Sequence, residues 1–326
     1  VEIVMLAWRE GRAQREFGFQ MMLGPALIVS RGWASQDTAA AFNRAWALCR
    51  YTGDPSIQAP ILYGIWNFHV VSARMHRACE LADELFALVE PTGDSVLLST
   101  GYRALTEMGY WTGHFEAGLA HYEHGDGYYD PAQAERELRT TGMHSKVIAL
   151  GFEAWLTWHL GDTVRARDAA RRQMALAEEI RNPFSLGAAY MNNAILYQFL
   201  DDAATVRRLA TDLTQLSKDH GLVIWMASAS IMLGWSMVAT GDVAAGIAEA
   251  ERGLGGWQAT GADLAGPYYL SLLADGYRSA GQHERANELV LQGIAQAERT
   301  GEVWWLAELL RLRAAFESRP EADVTL

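Results

Sequence analysis

The sequence predicts an all-α fold: a right-handed α-solenoid of about seven stacked helix pairs plus a final helix, with more than about 70 % helix against the one-third of an average domain, and no sheet. Three observations predict it. Helix breakers recur on a ruler: Ala73, Gly113, Gly161, Asp201, Gly241 and Gly281 are spaced by 40, 48, 40, 40 and 40 residues. Mostly small residues follow at fixed distances, with Ala78, Gly118, Ala166, Val206, Gly246 and Ala286 five positions on, and Ala82, Tyr122, Ala170, Ala210, Ala250 and Val290 nine positions on. Such positions let two helices approach closely. Finally, Ala286, Leu289, Val290, Gly293, Ile294 and Ala297 fall on one face at helical spacing, and nothing alternates at period two for long.

Taken in order, the first pair covers roughly the opening 52 residues. Later pairs turn at the six breakers and end at a second set, Gly53, Gly93, Asn182, Gly221, Gly261 and Gly301, where a left-handed C-cap needs Gly or Asn. The 48-residue step marks a mid-array insertion at 126–141, between the third and fourth repeats, around "HGDGYYDPAQAERELRTTG". Inserted loops on solenoids often approach the binding face. The final helix is expected over Glu302 to Glu317, and a disordered tail over 318–326. The whole chain, 1–326, reads as one continuous array.

Composition excludes several functions. Of 326 residues half are hydrophobic, and the formal net charge is −12 with a pI near 5.2. A nucleic-acid surface needs clustered Lys and Arg, so no direct nucleic-acid partner is expected. No apolar run reaches membrane-span length and no signal peptide opens the chain, which predicts a cytoplasmic protein with no membrane contact. The chain begins with Val1 on a helix that wants a neighbour, and is expected to be a piece of a longer protein. Cys49 and Cys79 read as small buried hydrophobes.

No enzyme signature is present: there is no phosphate loop, no nucleophile elbow and no HExxH, since "HERAN" at His283 ends in Asn287. The expectation is a non-enzyme without a cofactor. One weak metal candidate exists: His121 and His124 at i and i+3 with Asp126, and His114 one helical face away. Two imidazoles rarely hold an ion alone, so solvated histidines are the plainer reading. Glu178-Glu179 and Asp201-Asp202 sit beside turns, where caps explain them.

If the turns fix the register, the inner helices present Asn67, Arg103, Glu107, Tyr110, Trp111, Trp155, Trp158, His159, Gln198, Trp235, Tyr268, Asp275 and Arg278 to the concave wall. Two readings stay open. The rings either fill inter-helix seams, or they form a groove that stacks an apolar or planar ligand while Arg103, Glu107 and Arg278 orient its polar end.

Leu233-Gly234 and Leu273-Ala274, seven or eight residues before the turn, with Tyr197 and Tyr277 four before it, resemble the tetratricopeptide repeat, although that family's period is about 34 residues. More narrowly, "LGPALIVSRGW" from Leu23, "GPYYLSLLADGY" from Gly266 and "GEVWWLAELLRL" from Gly301 are similar to the C-terminal repeat region of large bacterial signalling proteins. There a class III nucleotidyl cyclase or a winged-helix domain precedes a STAND-type ATPase, and the repeats come last. The resemblance implies a non-catalytic regulatory module that binds a protein, a peptide or a small effector and acts on cyclase, ATPase or DNA-binding domains of the same polypeptide. The alternative it offers is a small-molecule inducer sensor like that of the maltose-regulon activator.

Overall fold

The structure, a computed structural model, describes residues 2–50, 52–133, 138 and 143–317. The expected tail at 318–326 and much of the expected insertion lie outside the described residues. Helix accounts for 83 % of the chain, and no strand occurs among the described residues. The helices are α1 Glu2–Arg31, α2 Gln36–Cys49, α3 Pro55–Val71, α4 Met75–Val89, α5 Ser95–Trp111, α6 Phe115–Asp126, α7 Ser145–His159, α8 Thr163–Ile180, α9 Pro183–Phe199, α10 Ala203–His220, α11 Val223–Ala239, α12 Val243–Ala259, α13 Gly266–Ser279, α14 His283–Thr300 and α15 Leu306–Glu317. None is long and apolar enough to cross a membrane.

All six expected turn residues adopt left-handed backbone, with φ of 51° at Ala73, 76° at Gly113, 86° at Gly161, 56° at Asp201, 97° at Gly241 and 75° at Gly281. Each closes the same Schellman motif. At Gly113, its own amide donates to the Tyr110 carbonyl at 3.0 Å and the His114 amide to the Gly109 carbonyl at 2.8 Å, and the other five turns repeat this pair of bonds. Acidic caps then start the next helices: Asp54, Asp94, Asp162 and Asp202 each accept a backbone amide of the first turn.

Two boundaries differ from expectation. The left-handed residue between α8 and α9 is Arg181, φ 56°, not Asn182. Asn182 is held in extended backbone because its side chain caps α9, accepting from the Ser185 amide at 2.8 Å. The final helix starts at Leu306 rather than Glu302, since Glu302 is drawn into a loop contact described below.

The small-residue positions do what their spacing implies. A Cβ on Gly109 would meet the Gly118 Cα at 2.6 Å, and one on Gly234 would meet the Ala250 nitrogen at 2.5 Å. The two helices of a pair therefore cross with backbone nearly touching backbone.

An open solenoid bonds each repeat to its neighbours alone. This one also bonds across a full superhelical turn. The carbonyl of Val71, ending α3, accepts from the Asp263 and Leu264 amides at 2.9 and 3.1 Å, and that of Trp111, ending α5, from the Val303 amide at 3.1 Å. The pairs 71 to 263 and 111 to 303 share one separation, 192 residues, nearly five repeats. Gly261 likewise abuts Ala34, whose carbonyl oxygen a Cβ would meet at 2.8 Å. The first helices of successive pairs thus surround a narrow common axis.

Candidate ligand-binding wall

Closure brings together side chains far apart in sequence, and the axis divides into an aromatic part and a polar part. In the aromatic part Tyr110 meets Trp155 at 5.3 Å between ring centroids and Trp304 at 5.1 Å, while Trp111 meets Trp304 at 5.6 Å. Phe199 stacks on Trp305 at 5.2 Å, and Tyr268 packs on both Trp304 and Trp305. Trp155 Nε1 donates to the Asn192 carbonyl at 3.0 Å, Trp305 Nε1 to Ser271 Oγ at 2.9 Å, and Tyr268 Oη to Gln198 Oε1 at 2.8 Å. Glu302 anchors this closure: its carboxylate accepts from the Ala265 amide and from Trp304 Nε1 at 2.8 Å. Fully buried without a cation, it is pushed up to about 8, desolvation outweighing those two donors.

The polar part lies on α3, α5 and the start of α7. Arg103 is 4 % exposed, and none of its three guanidinium nitrogens meets a hydrogen-bond acceptor among the described residues. The Tyr63 ring lies 4.3 Å from its Cζ, a cation–π contact that leaves the in-plane N–H donors unanswered. Tyr63 Oη is also without a partner, and burial pushes that phenol up to about 12. One turn along, the buried Glu107 is pushed up to about 7 by desolvation, with the Arg103 charge opposing. At the cap of α7, burial and then the Arg103 charge push His144 down to about 4. Ten of the twelve buried side-chain polar atoms lacking a partner belong to α3, α5, α7 or that cap. Native proteins satisfy over about 90 % of such groups, so this concentration on one stretch of wall needs a cause.

Beside Arg103 a recess of about 20 Å³ is walled by Ser99, Tyr102, Thr106, Tyr129, Ser145 and Lys146, among others. The Lys146 amine pairs with Asp126 and lies over the rings of Tyr122 and Tyr129. Burial pushes it down to about 8.

The residues expected on the concave wall are therefore divided. Arg103, Glu107, Tyr110, Trp111, Trp155, His159, Gln198 and Tyr268 converge on the axis. Tyr110, Trp111, Trp155 and Tyr268 are all no more than 5 % exposed, packed ring on ring. Asn67 is buried and donates to the Tyr63 carbonyl one turn back at 3.2 Å. Trp158 is half-buried against Phe199 at 4.5 Å, and Trp235 is buried on α11. His159 Nδ1 bonds the Trp155 carbonyl at 2.9 Å, and burial pushes the ring down to about 4. Asp275 and Arg278 do not join Arg103: they pair with each other at 3.2 Å in a separate recess with Arg311, Leu312 and Phe316. The metal candidate is not assembled. Asp126 faces Lys146, the exposed His124 stacks on Tyr102, and no group of three His, Cys, Asp or Glu side chains converges among the described residues.

Sequence reasoning missed Trp304, Trp305, His144 and Lys146. The first two lie in "GEVWW", a stretch legible as packing but silent about which residues it packs on. A larger cleft, about 1030 Å³, opens between the α1–α2 turn, the α10–α11 turn and α12. Two of its cations are already matched: Arg31 faces Asp37 and Arg252 faces Glu249.

No family model matches the sequence. An uncharacterized protein of Rhizobium meliloti (strain 1021) is 27 % identical over 301 residues, covering 91 % of this chain and 29 % of that protein. The chain thus spans under a third of the length of the curated relative it matches. Among solved structures, a Rap protein complexed with Competence and Sporulation Factor superposes with a TM-score of 0.65 at 11 % identity, over 95 % of this chain and 84 % of that one. A tetratricopeptide repeat protein from Parabacteroides merdae ATCC 43184 aligns over 92 % and 99 % at 14 % identity, with a TM-score of 0.42. The likeness to the Rap protein shows the fold, a helical-repeat solenoid of tetratricopeptide type.

Proposed function

We propose that the chain is a non-catalytic binding and regulatory module of a larger, cytoplasmic bacterial signalling protein. Its inner wall takes a protein, peptide or small effector, and occupancy biases cyclase, STAND ATPase or DNA-binding domains of the same polypeptide. One observation carries this reading: the buried polar atoms without partners concentrate on α3, α5 and α7, above all at Arg103. Leaving a buried charge unpaired costs about 3–5 kcal/mol, so a fold that keeps one there gains from a partner that arrives later. The Rap protein of similar fold is itself complexed with a factor. The far greater length of the Rhizobium relative favours a setting among further domains.

Native mass spectrometry of the chain purified gently from lysate tests the reading. The expected spectrum shows an added mass that denaturation releases; a bare chain from every lysate tried overturns it. Because no phosphate loop or acid–base constellation is present in the sequence, the chain is expected neither to hydrolyse ATP nor to form cyclic nucleotide. Turnover abolished by a point substitution within this chain would count decisively against a binding module.

A further inference from the structure

We propose that the recess at Arg103 is a receptor for one carboxylate group, carried by the ligand whose binding was proposed above and resting on that reading. The guanidinium is planar, permanently charged and presents its donors as a fork that matches a carboxylate's two oxygens. Here it is 4 % exposed with Nε, Nη1 and Nη2 all unanswered, and Tyr63 Oη and His144 Nδ1 beside it are unanswered too. No carboxylate of the described chain forms an ion pair with it. Glu107, one turn away on the same helix, contributes charge from a distance, and the Tyr63 ring covers only one face of the fork.

Charge and size narrow the guest. Lys146, the other cation of the recess, is already paired with Asp126, so a single positive charge is left unmatched and a monoanion balances it. A space of about 20 Å³ takes one small planar group and not a tetrahedral phosphate with its four oxygens. The hydroxyl of Thr106 is turned away, donating to the Tyr102 carbonyl at 2.8 Å, so specificity for the acid falls to the guanidinium. The carboxylate belongs either to a peptide, at its C-terminus or on a side chain, or to a free small acid.

Thermal unfolding of the full chain in sodium acetate and in sodium chloride, matched for ionic strength, provides the test. Acetate is expected to raise the wild-type Tm saturably above chloride. Arg103→Met is expected to raise the Tm in chloride, because it removes an unmatched buried charge, and to erase the acetate increment. Arg103→Lys, which keeps the charge and loses the fork, is expected to need about tenfold more acetate, a 1.4 kcal/mol loss. An equal response to acetate and chloride, an increment retained in Arg103→Met, or a Met variant less stable than wild type in chloride would each overturn the site.

Two further probes separate the sources. Acetyl-triglycine saturating at a lower concentration than acetate assigns a peptide carboxylate, and equal potency assigns a free acid; its C-terminal amide is silent in both cases, and an active amide overturns the assignment. The two proposals fail separately. A mass retained by wild type and Arg103→Met alike keeps the binding module and removes this site. A bare chain whose acetate increment depends on Arg103 keeps the site and removes the reading of a ligand carried from the cell.

Discussion

Two buried charged side chains on neighbouring inner helices are treated in opposite ways. Glu153, on the face of α7 toward α6 and α8, is 3 % exposed and accepts three bonds: from Tyr122 Oη at 2.6 Å, Arg165 Nε at 2.8 Å and Arg172 Nη2 at 2.8 Å. Arg103, on α5, is equally buried and accepts no such company. The difference lies in what stands opposite. Each outer seam is backed by two further helices whose side chains are available as partners, whereas the polar inner wall faces the axis, which its own helices do not fill. Glu302 falls between the two, with N–H donors but no cation. The comparison separates charges that hold the fold together from a charge the fold leaves for something else.

The largest expected effect tests whether the aromatic part belongs with the structural side. Trp155→Ala should lower stability by about 3–5 kcal/mol in urea denaturation, because it empties a ring-sized volume and strands the Asn192 carbonyl. A variant that keeps its stability and loses only ligand would move Trp155 to Arg103's side of the comparison. Next, Glu153→Ala should cost about 2–3 kcal/mol through lost charge-assisted bonds, since Arg165 and Arg172 can turn to solvent but the buried Tyr122 hydroxyl cannot. A neutral result would mean that partnering at the outer seam is incidental. Gly234→Ala is expected to cost about 1–3 kcal/mol through overpacking against Ala250, read as a lower urea midpoint.

The smallest effect is a pH dependence from Glu302. Its carboxyl holds a proton in the fold up to about 8, whereas the unfolded chain has lost it above its ordinary 4.5. Raising pH through that window therefore lowers stability. Between pH 6.5 and 8, above the range in which His144 and His159 titrate, the fall should reach no more than about 2 kcal/mol, with Glu107 contributing in the same sense. Urea midpoints at the two pH values measure it. Glu302→Gln should flatten the dependence, and an unchanged slope would assign it elsewhere.

The turns were legible because each is a local event: a left-handed residue every 40 positions and a small residue five positions on, both dictated by sterics within one helix pair. Asn182 misled by one position, since an Asn serves equally well as the end of one helix or the cap of the next. The inner wall was legible as a set, which is why Arg103, Glu107 and Tyr110 were named together. How the set divides was not, because the division depends on contacts 192 residues apart that leave no local period. For the same reason Arg278 was grouped with Arg103, although the superhelix carries it to another recess, and Trp304 and Trp305 were read as packing with no partner in view.

The bonds from Val71 to Asp263 and from Trp111 to Val303 also bear on how such a chain can change over evolutionary time. Repeat arrays grow and shrink by gain or loss of whole units, and in an open solenoid an interior unit is as dispensable as any other. Here, deleting the 40 residues between Gly161 and Asp201 would leave every remaining helix pair intact, yet would place Val303 and Trp304 one unit short of Trp111 and Tyr110. The number of units between those partners is therefore inherited as a fixed quantity. Duplications are tolerated at the two ends of the coil, and the interior evolves by substitution.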